Sequence, residues 1–239
     1  NYMLAGLIAE RAAGLPYHRL MDEAIWAPAG MTATTLDPVR VLARGDYTYG
    51  HGRAASGREL ILAPDAYDNW LPAPSGYAFS TAPDVARWAI MLMAGGAPVL
   101  SRASAAAMQA PQAFENYGPD QYYGFGIAVW SYQGLDVREH DGHIEGWSSD
   151  VLWVSDRGFA VVVLDNGATP LYGAAQCVVD AVLAPEGAPP PDLTTDPATW
   201  TPYLGSYAMV STLGDRFRAD VALLGDRLML TLPDLDESG

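Results

Sequence analysis

Lysine is missing from all 239 residues: the thirteen cationic side chains are arginines, set against 28 aspartates and glutamates, for a formal net charge of -15. Without lysine these residues cannot complete a Schiff base, a Walker-type phosphate clamp or a Ser-Lys dyad by themselves. The shortage of positive charge, with no basic cluster, repels phosphate backbones and anionic lipid, so nucleic-acid and membrane-surface functions rank low. Cysteine is nearly absent too. The single Cys177 rules out an intrachain disulfide, and its setting in the run Ala174-Ala175-Gln176-Cys177-Val178-Val179 predicts a small buried apolar residue, not a nucleophile. Long hydrophobic runs are lacking as well: Tyr2 to Ala9 is apolar but too short to span a membrane, and no basic stretch precedes it, so neither a signal peptide nor an anchor is expected. Because Asn1 enters this segment at once, and Asp234 to Gly239 ends just after a strand-like run, the sequence reads as starting and stopping inside larger units.

What is present allows one domain, or one plus part of a second, at roughly 100 to 200 residues each. A chain of this size buries about 70 per cent of its unfolded surface and needs no disulfide or metal staple. Leu4, Leu7, Ile8 and Ala12 make one stripe of a helix over residues 3 to 13 that stops at Gly14, and a second helix follows Pro16 and closes at Pro28 and Gly30. Residues 31 to 76 read as ordered loop. Ser80-Thr81-Ala82-Pro83-Asp84 is a helix start with a hydroxyl cap, an early proline and an acid at the positive end of the dipole; this helix runs to Gly95-Gly96. A weaker helix covers about 101 to 109. After Pro111 the texture becomes extended, with Tyr122 to Tyr132, Ser148 to Val154 and Phe159 to Leu164 as strands and Ser155-Asp156-Arg157-Gly158 as a hairpin turn. A helix at about 171 to 183 follows. Helices first, then consecutive strands, then a helix is an α+β order. Residues 184 to 198 read as a proline-rich linker, and 199 to 239 as three strands that open a small β module.

The densest polar constellation is Glu139 to Ser149. It admits a metal site, though strand alternation puts His140 and Gly142 on one face and Asp141 and His143 on the other, which splits the ligands. It also admits a polar loop, or a substrate-lining strand in which Gly142 permits close backbone approach and His140 addresses the ligand. Asp141 and Glu145 are expected to face solvent or bond backbone N–H groups, and Ser148 and Ser149 to be structural hydroxyls. Tyr122, Tyr123 and Phe125 read as core, and Trp147 as either core or lining.

His140-x-Gly142, followed by Gly146-Trp147-Ser148-Ser149 and two apolar strands, resembles the His-x-Gly form of the third motif of serine β-lactamase-like hydrolases, a family of class C β-lactamases, D-alanyl-D-alanine carboxypeptidases, D-aminopeptidases and esterases. Three further segments agree in order. Asn1 to Tyr17 resembles the stretch that begins at the Asn of Tyr-x-Asn. Pro28-Ala29-Gly30-Met31-Thr32-Ala33-Thr34 is similar to Pro-Leu-Gly-Met-x-x-Thr, and Ser75 to Trp88 to the family's Ala-Gly-Gly-Leu-x-Ser-Thr-x-x-Asp-Leu-x-x-Trp. The resemblance covers about 1 to 183 and implies part of an α+β domain, a β-lactamase/transpeptidase-like antiparallel sheet packed with helices, followed by the short all-β segment. It implies an acyl-enzyme hydrolase of amide or ester bonds in small molecules or peptides, with no cofactor and no metal, and an extracytoplasmic site over the cytoplasm. Asn1 would bind a carbonyl oxygen or hold the missing lysine, His140 would stand in for the motif lysine, and the His143 backbone N–H after Gly142 would be an oxyanion donor. The departures are the Ser-x-x-Lys nucleophile motif, which no lysine-free chain can contain, and the Tyr of Tyr-x-Asn. The chain is therefore expected to be inactive alone; the competing expectation is a non-catalytic binding protein on the same scaffold.

Overall fold

The computed structural model describes residues 1–53, 60–62, 73–115, 120–144, 146–167, 173–183, 197–210, 216–225 and 227–231. Two compact units result, Asn1–Gly187 and Ala188–Gly239. Glu145, Asp226 and most of the expected linker lie outside the described residues.

The first unit is built on a six-stranded antiparallel sheet in sequence order: β3 (Ala113–Phe114), β4 (Tyr122–Tyr123), β5 (Ala128–Tyr132), β6 (Leu135–Ile144), β7 (Trp147–Val154) and β8 (Phe159–Asp165). The β7–β8 hairpin turns through a short helical turn at Ser155–Arg157, closed by Gly158 at φ 58, a conformation only glycine adopts freely. Side-chain alternation gives the sheet two different faces. On one, Ile127, Val129 and Trp153 pack with Ala89, Met91 and Leu92 of α4 (Ala82–Met93) and Ala105 of α5 (Arg102–Met108). The Trp153 indole N–H donates to Gln109 Oε1 at 3.0 Å, so this buried ring carries no unpaired donor. On the other face Leu135, Val137, Leu152 and Val154 meet Ala175 and Val179 of α6 (Ala174–Leu183). β8 has a sheet neighbour on one side only among the described residues.

The remaining helices carry the loops that wall the site. α1 (Tyr2–Ala13) ends at Gly14 with φ 67 and approaches Pro74 so closely that a Cβ on Gly6 would lie 2.3 Å from Pro74 Cγ. α2 (Tyr17–Met21) continues as a wider turn through Trp26. Residues 31 to 76 are more than loop. α3 (Pro38–Arg44) starts at an Asp37 side chain that caps the Val39 N–H, and β1 (His51–Arg53) pairs with β2 (Leu60–Leu62). The expected buried Cys177 is also corrected: it is exposed, because α6 turns Ala175 and Val179, four residues apart, into the sheet and Cys177 away from it. The second unit holds β9 (Gly205–Val210), β10 (Arg216–Leu224) and β11 (Arg227–Thr231) as an antiparallel sheet, preceded by a short helical stretch, Pro197–Tyr203.

Candidate active site

Asp84 ties two of the resembling segments together. It is 2% exposed, and its Oδ2 accepts the Ala33 N–H at 2.8 Å and the Thr34 hydroxyl at 2.9 Å, while Oδ1 accepts from Arg87 at 2.8 Å. Thr34 Oγ1 also lies 2.8 Å from Ser80 Oγ. Three donors offset the cost of burying this carboxylate. The loop after Pro28 and the start of α4 thus become one wall of a cavity of about 930 Å³, lined among others by Trp26, Tyr77, Trp88, His140, Gly142 and Trp147.

The opposite wall is the outer half of β6. β5 pairs with β6 from Tyr132↔Leu135 to Ala128↔Glu139 and then ends, whereas β7 continues alongside as far as Ile144↔Trp147. Among the described residues, 140 to 144 therefore have a strand on one side only. Within that stretch His140 and Gly142 share a face with Ser149, and Gly142 is needed there: an added Cβ would stand 2.7 Å from Ser149 Oγ. His143 belongs to the other face, where its Nδ1 lies 3.1 Å from Ser148 Oγ. The two histidines are split as strand alternation requires, so they cannot share one metal ion.

His140 is exposed, yet both ring nitrogens are engaged, Nδ1 with the Asp141 carbonyl at 2.6 Å and Nε2 with the Tyr123 hydroxyl at 3.0 Å. This corrects the expectation that Tyr123 is core. It is half-buried and bonds a site residue, while Phe125, 58% exposed, is not core either; Tyr122 does pack against the α4-side cluster. Burial first, and then the neighbouring Tyr2 phenol, raise the Tyr123 phenol above the usual tyrosine range, so it is a protonated donor at neutral pH. Asn1 makes no side-chain cap bond at α1 and does not line the cavity. Trp147 does line the cavity. The backbone of Gly50 lies against its ring, where a Cβ would come within 2.7 Å, and that strap is held by His51, whose N–H donates to the carbonyls of Gly146 and Asn166 at 3.3 and 3.0 Å. Sequence reasoning missed His51, since its partners lie about a hundred residues away.

On the α6 face, under the site, Glu139 and Asp150 sit together. Gln176 donates to Glu139 Oε1 at 2.9 Å and the Ala175 N–H to Asp150 Oδ2 at 3.2 Å. Burial, then the charge of Asp150, pushes the Glu139 carboxyl up to about 7; burial also raises Asp150. Asp150 Oδ1 and Gln176 Oε1 are buried without a partner, which fits a pair that holds a proton between its carboxyls.

A family model described as Beta-lactamase matches residues 1–184. The chain belongs to the beta-lactamase family. Among its curated relatives is an unguisins hydrolase of Aspergillus campestris, 26% identical over an alignment of 181 residues that covers 69% of this chain and 32% of the relative. The chain spans about a third of the length of that relative. The octameric penicillin-binding protein homologue from Pyrococcus abyssi shares the fold at a TM-score of 0.74 and 21% identity, over 96% of this chain and 51% of that one. D-amino acid amidase from Ochrobactrum anthropi SV3 shares it at 0.59 and 23%, over 77% and 55%. These beta-lactamase-family neighbours agree with the α+β sheet-and-helix architecture described above.

Proposed function

We propose that this chain is part of a serine acyl-hydrolase that opens amide or ester bonds through an acyl-enzyme, and that the nucleophile and its lysine come from outside the 239 residues. The observation that carries the reading is the cavity itself: the third motif, on the open half of β6, faces the two segments knotted at Asp84. A Ser-x-x-Lys serine delivered between these walls would attack the carbonyl; the bond to the leaving amine or alcohol breaks with proton return, and water then releases the acid. The backbone N–H of His143, on a stretch with a strand on one side only, would supply one oxyanion donor, a group worth about 10²- to 10³-fold in rate elsewhere. His140 would orient the substrate's polar end from the α4 face, and Asn1, which does not line the cavity, would serve by holding the incoming lysine at the start of α1 and not by touching the substrate.

The test uses an acylating probe such as a reactive β-lactam, read by intact mass. This chain alone is expected to stay unlabelled, and the same chain extended through an upstream Ser-x-x-Lys segment to form a stoichiometric adduct on that serine. An adduct on the chain alone would sink the account of where the nucleophile lies.

A further inference from the structure

The contacts of His140 carry more than its place on β6. Its Nδ1 faces a backbone carbonyl, that of Asp141, which can only accept; Nδ1 must therefore carry the ring proton. In the neutral imidazole Nε2 is then a lone-pair acceptor, and it is met by a hydroxyl, Tyr123. Tyr123 comes from β4, one strand beyond β5, in the row Tyr123↔Ala128↔Glu139 that ends where the open half of β6 begins. It does not line the cavity, whereas His140 does. The Tyr2 phenol at the start of α1, next to Asn1, adds to the raised value of the Tyr123 phenol, and the hydrogen bond itself runs from Tyr123 to His140.

We infer that Tyr123 is a positioning residue: together with the Asp141 carbonyl at Nδ1 it holds His140 in the Nδ1–H tautomer and occupies Nε2, so that no imidazole N–H points at a ligand and the site suits a donor end such as an amide N–H over a free carboxylate. The inference rests on the hydrolase reading for the word substrate, but not for the tautomer. A group that meets His140 finds an acceptor nitrogen already saturated by a phenol, and gains a hydrogen bond there only by displacing the Tyr123 hydroxyl. A carboxylate offers no proton to that nitrogen and gains nothing from the exchange, whereas a donor N–H of an amide can replace the phenol directly.

The experiment is a long-range ¹H–¹⁵N correlation of the imidazole nitrogens in the isotope-labelled chain at pH 8, on the wild type and on Tyr123→Phe, with assignment by His140→Gln. The expected wild-type spectrum shows His140 mainly with protonated Nδ1 and an acceptor-type Nε2. In Tyr123→Phe the ratio of the two tautomers shifts toward Nε2–H, with the amide pattern of β6 and β7 unchanged. A wild-type His140 mainly in the Nε2–H form overturns the inference, as does a folded Tyr123→Phe with an unaltered ratio. Should Tyr123→Phe not fold, the wild-type tautomer decides. Because the readout involves no turnover, a failed acylation test and a failed tautomer test are separate results.

Discussion

The two halves of β6 are made from the same backbone and do opposite work. From Leu135 to Glu139 the strand is flanked on both sides, and Leu135 and Val137 are buried at 4% and 0% exposure. From His140 to Ile144 it has β7 alone among the described residues, and His140, Asp141 and His143 are exposed. The difference is where β5 stops. A strand that outruns its neighbour keeps the rigidity of the sheet at its base and gains a free edge at its tip, which is how a packed scaffold presents polar side chains and amides without unsatisfied buried groups.

Breaking the inner half should cost most. Val137→Asp places an unpaired charge in the α6-side cluster and is expected to remove about 4 kcal/mol or more, enough to unfold the first unit, as read by urea denaturation. Next comes pH. Glu139 has a folded-state value raised from an ordinary 4.5 to about 7, so between those values the folded chain holds a proton that the unfolded chain has released. Stability is therefore greatest below about pH 4.5 as far as this group is concerned, and falls as pH rises towards 7, by on the order of 2 kcal/mol once partial exposure is allowed for. Thermal melts across pH 5 to 8 should show that loss in the wild type, and Glu139→Gln should flatten it.

The outer half should be nearly free to change. Gly142→Ala is expected to cost about 1 kcal/mol through the clash with Ser149 Oγ, and Ser149→Ala in the same background should return most of it in a double-mutant cycle. His140→Ala should move stability by about 0.5 kcal/mol or less, since its side chain is exposed. A loss of several kcal/mol from His140→Ala would erase the contrast between the halves.

Much of the inner architecture was legible from local signals. Ser80 to Asp84 announced α4 through its cap and proline, and the hairpin at Gly158 followed from two apolar runs joined by a turn. The Asp37-Pro38 start of α3 carried the same kind of signal but was submerged in a glycine- and proline-rich stretch. Leu135 and Val137, alternating with Asp136 and Arg138, mark the inner half of β6 as a half-buried strand just as plainly, but the eye is drawn to the polar cluster that follows. Of the proposed site, His140 and Gly142 could be found from spacing and assigned to one face by alternation. Tyr123 could not, because nothing local distinguishes an aromatic residue that packs from one that bonds a histidine 17 residues away. Asp84 read as a helix-dipole acid, which is true of its position, while its bonds to Ala33 and Thr34 are set by tertiary structure about 50 residues distant.

The one-sided pairing of β8 among the described residues bears on how these 239 residues would behave in concentrated solution. Phe159 to Leu164 offers an apolar strand edge without lysine, proline or an inward charge to discourage another edge from joining it. The net charge of -15 opposes such pairing, and that repulsion vanishes near the isoelectric point of about 4.4. Colloidal stability and conformational stability thus pull in opposite directions with acidity: the pH range that favours the protonated Glu139–Asp150 pair is the one in which self-association through β8 meets least resistance.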